Sequence, residues 1–193
     1  MSTRENVLSS IRSNQPELTP LPEINIPQSY ENLVEKFTAI ATGIGSSVYE
    51  INSINDIKAI IADRFNLSLR IISSFSELSD IAETNISQLD PHTLEDVEVA
   101  ILQADFAVAE NAAFWVPENN SLQRVLPFIA QHLVMVVSKD ALVPTMHQAY
   151  EKISDSDYGY GVFIAGPSKT ADIEQSLVLG AHGPRSMTVF ILK

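Results

Sequence analysis

Three short stretches hold most of the residues that could do chemistry. The first is AGPSKTADIEQ, residues 165–175, in which Gly166 and Pro167 lead into Ser168, Lys169, Thr170, Asp172 and Glu174. Read as strand, turn and helix, the apolar run GVFIA ends at Gly166, which permits a backbone conformation closed to other residues. Ser168 or Thr170 then caps a helix over about 170–179. The free N–H groups of that helix end can face an anion, with Lys169 adding a point charge, at the carboxyl end of a strand. The alternative is a purely structural cap. Asp172 and Glu174 would complement the helix dipole in the first turn and repel a phosphate, though carboxylates accept hydrogen bonds from a polyhydroxy or mixed ligand.

The second stretch is AHGPRS, residues 181–186. His182, bracketed by Gly180 and Gly183, is either a loop histidine poised for proton transfer near neutrality or a cap on the preceding helix. Arg185 could bind a carboxylate bidentately or be a solvated edge charge. The third is AENAAFW, residues 109–115. Glu110 follows an apolar strand, where a raised pKa would suit it as base or nucleophile, and Asn111 could orient it or a substrate. The same pair also serves as a hairpin turn.

The elements that must position these residues follow from hydrophobic spacing. Val7, Leu8 and Ile11 fit a short amphipathic helix over 2–14 capped by Ser2 or Thr3. Residues 15–28, with four prolines in fourteen positions, make an extended arm. The arm over 1–28 then precedes a single α/β domain over 29–193. Helices are expected at 29–42, from Ser53, and from Leu142 to Ile153 with Pro144 in the first turn. Strands are expected at 47–51, 69–73, two or three within 97–117, and 133–138. A final β–α–β unit runs from GVFIAG to MTVFIL. The alternation predicts a mainly parallel sheet covered by helices, with helix fragments and loop over 76–95.

Charge and composition narrow the partners. Twelve Lys and Arg against twenty-four Asp and Glu leave a formal charge of −12, which repels phosphate backbones and anionic lipids; nucleic-acid and membrane partners are not expected. No apolar run approaches the ~20 residues of a spanning helix, and the polar N-terminus lacks a signal-like apolar region, which points to the cytoplasm. With no cysteine, thiol catalysis and cysteine-ligated clusters within the chain are excluded. The four histidines match no zinc spacing, so no metal and no cofactor are expected.

Taken together, Ala104–Glu110, Gly166–Glu174 and Gly180–Pro184 resemble the LUD-domain family, in its lactate-utilization branch. A weaker match covers Arg124, Leu126-Pro127 and His132-Leu133. The resemblance implies a three-layer α/β/α fold with a β-hairpin insertion, similar to the ribose-phosphate isomerase and CoA-transferase group. It also implies a role in bacterial oxidation of lactate to pyruvate, beside other proteins that carry the iron–sulfur clusters. The family usually follows its Ala-Glu with a Thr-Gly-Thr turn, whereas this chain has Asn111-Ala112-Ala113, which alters any ligand approach there. Three roles follow: an accessory subunit binding partners and a small anionic or hydroxy-acid ligand; an autonomous enzyme using Glu110; or a non-catalytic binding module. All three place Glu110, the 166–174 loop and His182 together in space.

Overall fold

The computed structural model describes residues 2–23, 32–154, 157, 159–171 and 177–193. In chain order these form α1 (Thr3–Ser13), α2 (Leu33–Gly43), β1 (Ser46–Ile51), α3 (Asp56–Arg64), β2 (Arg70–Ser73) and β3 (Val97–Gln103). Next come β4 (Phe106–Val108), β5 (Ala113–Pro117), α4 (Glu118–Ser121), α5 (Leu126–Ile129), β6 (His132–Ser138) and β7 (Leu142–Val143). The chain finishes with α6 (Met146–Ile153), β8 (Gly161–Ile164), β9 (Lys169–Ala171), β10 (Leu177–Leu179) and β11 (Ser186–Leu192).

The central sheet has the order β1-β11-β6-β3-β2, and every neighbouring pair is parallel. Parallel strands are buried on both faces, which explains the near-continuous apolar runs of β3, β6 and β11. Along β6, Leu133, Met135 and Val137 join one cluster while Val134 and Val136 join the other. On the second face α3 supplies Ile57 and Ile61, both buried. On the first face α2 supplies Phe37 and Ala41, and Phe37 meets Phe114 of β5 edge-to-face with centroids 5.4 Å apart. The result is the expected three layers.

The hairpin β4–β5, paired Phe106 to Trp115, is the core of a second sheet with the order β7-β4-β5-β8. In its turn Ala112 takes a positive φ of 55°, while the Asn111 side-chain oxygen accepts the Ala113 N–H at 3.1 Å.

Three expectations are corrected. Leu142 and Val143 are a strand, drawn beside β4 by pairing with Ala107 and Val108. The following helix starts only at Met146, because Thr145 and Gln148 form a reciprocal capping box. The helix from Ser53 likewise begins later, at Asp56, whose carboxylate accepts the N–H groups of Asn52 and Ser53 at 2.9 Å each.

The third correction matters most. Among the described residues no β–α–β unit closes the chain: β8 pairs antiparallel with β5 in the second sheet, and Lys169–Ala171 pairs antiparallel with Leu177–Leu179. The stretch read as the start of a helix is therefore the first arm of a hairpin. Asp172 and Glu174 lie outside the described residues, as do residues 24–28 of the arm.

Candidate functional site

Two loops meet at one side of the fold. The first leaves β8 through Ala165 and turns at Gly166, where φ is +70°. A side chain there would be strained, and an added Cβ would lie 3.1 Å from Ile44 Cδ1. The second runs from Gly180, with φ of +74°, to Arg185. Backbone bonds tie the loops together: Ser168 N–H donates to the Pro184 carbonyl at 2.9 Å, and Gly180 N–H to the Ser168 carbonyl at 3.0 Å. Their approach is close enough that a Cβ on Gly183 would sit 3.2 Å from Ser168 Cβ.

Between them lies a cavity of about 220 Å³. Gly166, Ser168, His182 and Gly183 line it together with the apolar Phe128, Leu133 and Phe163. The cavity is at the carboxyl end of β8, yet Leu133 and Pro184 place it at the amino ends of β6 and β11. The switch of sheet by β8 brings about this position. β9 stands where a helix N-terminus was expected, and the hydrogen-bonding groups that the loops bring to the lining are backbone, the Ser168 hydroxyl and the His182 imidazole.

The other expected residues fall outside this lining. Lys169 and Thr170 lie in β9, with the Lys169 ammonium beside Gly45, 3.6 Å from where a Cβ on that glycine would be. Arg185 donates through Nε to the Gln131 side-chain oxygen at 2.8 Å, and its N–H donates to the Gln131 carbonyl. The guanidinium thus holds an amide instead of a carboxylate and pins the second loop to the start of β6. Glu110 and Asn111 form the tip of the β4–β5 hairpin. The exposed Glu110 carboxylate accepts the Met146 N–H at 2.9 Å, which satisfies a free donor at the start of α6.

Residues 127–128, 133 and 163 of the lining carry no chemical signature in sequence, since apolar residues in a run reveal nothing of what they face. A second unforeseen cluster lies across the sheet. His132 Nδ1 is 2.7 Å from Ser186 Oγ, and its Nε2 is 3.7 Å from Glu98 Oε1. Phe65 of the segment after α3 packs on the ring, with centroids 5.1 Å apart. Burial lowers the His132 pKa below its ordinary 6.5; Glu98 opposes that shift, and Arg185 and Arg64 add to it. Among the described residues, no group of three or more His, Asp or Glu is placed to hold a metal ion, and no helix is long and apolar enough to cross a membrane.

A parallel sheet, a hairpin-built second sheet and a small loop-lined cavity define an α/β protein of two sheets. The LUD domain matches residues 26–192, and the chain belongs to that family. It is 28% identical over 183 residues to lactate utilization protein C of an Exiguobacterium species, across 86% of this chain and 80% of that protein. It is 27% identical to lactate utilization protein C of Oceanobacillus iheyensis, across 70% of this chain and 64% of that one. Against the protein of the same name from a Geobacillus species, identity is 32% across 51% of this chain and 43% of the other. The last two matches thus span less than two thirds of those relatives. The crystal structure of a DUF162 family protein from Deinococcus radiodurans superposes with a TM-score of 0.63 at 15% identity, over 83% of this chain and 96% of that one, and so shares the fold.

Proposed function

We propose that this chain is an accessory, ligand-binding component of a bacterial lactate-utilization system in the cytoplasm, and that it holds a small hydroxy or keto acid in the cavity between residues 165–168 and 182–184. The carrying observation is that two family stretches, residues 166–168 and 180–184, bond to each other and line that cavity. The names of the relatives supply the system. At about 220 Å³ the cavity is below the ~300–1,000 Å³ of pockets for drug-sized molecules, which favours a ligand of a few heavy atoms over a nucleotide or CoA. Its mixed lining suits such an acid: a methyl group against Phe128 and Leu133, and oxygen atoms toward Ser168 and His182.

Oxidising lactate to pyruvate releases two electrons, and a chain without cysteine cannot hold a cysteine-ligated cluster to receive them. In this reading the electrons pass to partner proteins that carry iron–sulfur clusters, with this chain positioning or sensing the acid. Glu110 is not assigned a catalytic role, because its carboxylate is engaged at the start of α6.

Thermal unfolding with L-lactate, pyruvate, inorganic phosphate and CoA tests the proposal, since a ligand that binds only the native state raises the apparent stability. Lactate or pyruvate should raise the unfolding temperature, and phosphate and CoA should not. A response to CoA or phosphate alone, or to none of the four, overturns it.

A further inference from the structure

The helix α1 is capped at its start and buries none of its residues against the other described residues. Ser2 and Glu5 form a complete capping box, yet no residue of α1 is buried. Val7 is 53% and Ile11 55% exposed. Positions 4, 7, 8 and 11 share one helical face, so Val7, Leu8 and Ile11 make an apolar stripe with Arg4 at one end and Arg12 beside the other. With Glu5 the only acid, α1 carries a side-chain charge of +1 in a chain of −12. It also precedes residue 26, where the family domain begins.

A complementary surface lies on α6. Met146, His147, Tyr150, Glu151 and Ser154 line an open groove of about 450 Å³, with Tyr150 58% exposed. Glu110 stands at one end through its bond to Met146 N–H, and Glu151 flanks the other end. The groove combines Met146 and Tyr150 with the Glu151 carboxylate and the neighbouring Glu110; the stripe of α1 is apolar at its centre and basic at its ends.

We propose that α1 of one copy of this chain docks in the α6 groove of a second copy, Val7, Leu8 and Ile11 against Met146 and Tyr150, with Arg4 and Arg12 facing Glu110 and Glu151. Both halves of the contact are on the same chain, so two copies satisfy each other reciprocally about a twofold axis, as in an exchange of terminal elements. The arm favours exchange over folding back. Pro16, Pro20 and Pro22 stiffen residues 14–23, which at ~3.1 Å per residue hold α1 roughly 30 Å beyond Glu23. Among the described residues of one chain, both surfaces stay exposed.

Sedimentation velocity on the full-length protein over a wide concentration range tests this. The wild type should form a dimer, and Ile11→Asp and Tyr150→Asp should each weaken it by roughly tenfold or more. Ile11 is exposed, so Ile11→Asp should keep the wild-type unfolding temperature of the domain; Tyr150 meets Phe163 edge-to-face with centroids 5.7 Å apart, so Tyr150→Asp should lower it slightly while leaving the domain folded. Mixing the two variants is the discriminating measurement. The Tyr150→Asp copy retains an intact α1 and the Ile11→Asp copy an intact groove, so the mixture should regain dimer that neither forms alone. A monomeric wild type, variants that dimerise undiminished, or a mixture without recovery each overturns the proposal.

Discussion

Glu110 and Met146, thirty-six positions apart, are joined by a hydrogen bond of 2.9 Å from the Met146 backbone N–H to the Glu110 carboxylate. A carboxylate at this point complements the positive end of α6 as well as a free donor. The tip of the β4–β5 hairpin and the start of α6 are thereby held together.

Loss of that acceptor should therefore cost stability more than activity. Glu110→Ala is expected to destabilise by about 1 kcal/mol, the usual worth of a lost helix-end acceptor. Glu110→Gln, which keeps an oxygen for the bond, should cost clearly less. Urea unfolding of both variants separates the two. If Gln proves as damaging as Ala, the charge and not the acceptor matters.

Ala112 stands where the family turn carries glycine and keeps the glycine-like φ of 55°. A positive φ costs a residue with a Cβ about 1–2 kcal/mol. Its methyl is 1% exposed in the main core, where burial returns about 0.8 kcal/mol. The two nearly cancel, so Ala112→Gly should leave the unfolding temperature unchanged or slightly raised. Ala112→Val, β-branched at a positive φ in a packed site, should lower it by several degrees. Calorimetry of the pair reads the contrast, and equal effects would contradict the turn geometry.

His132 should make stability depend on pH. Its pKa is lowered in the folded state, chiefly by burial, so below about pH 6.5 the unfolded chain binds more protons than the folded one. The contribution is present above 6.5 and is lost as pH falls through the lowered value. In His132→Gln the fall in unfolding temperature just below pH 6.5 should be shallower than in the wild type. Parallel curves for the two proteins would show that His132 does not carry this dependence.

The cavity can be closed without touching the sheets. Gly183→Val adds atoms against Ser168, where a Cβ alone would already be 3.2 Å from Ser168 Cβ, and should abolish any thermal shift with lactate or pyruvate. Ser168→Ala removes a hydroxyl and should weaken that shift roughly tenfold in ligand concentration, a net hydrogen bond being worth about 1 kcal/mol. A full shift in Gly183→Val would place the ligand elsewhere.

Composition, hydrophobic period and capping residues were enough, from sequence, for the parallel sheet, its covering helices α2 and α3, and the hairpin of AENAAFW. These are properties of short windows: Val97 to Val99 alternates, Ser2 reaches only to Glu5, and β6 is apolar because both its faces are buried. The segment AGPSKTADIEQ was misread for the same reason. Locally it has everything a capped helix needs, and nothing within it says that Lys169–Ala171 will pair with Leu177–Leu179.

What the sequence by itself determined is membership of a family, the absence of thiol chemistry and the three stretches that hold the candidate residues. What only the tertiary structure decided is which of the singled-out residues line one cavity. Gly166, Ser168, His182 and Gly183 do; Glu110 is bonded to α6, and Arg185 to Gln131. The physical reason is that a strand's partner is chosen by packing over the whole fold. Once β8 left the central sheet for β5, the loop after it met the loop before β11 instead of opening a helix.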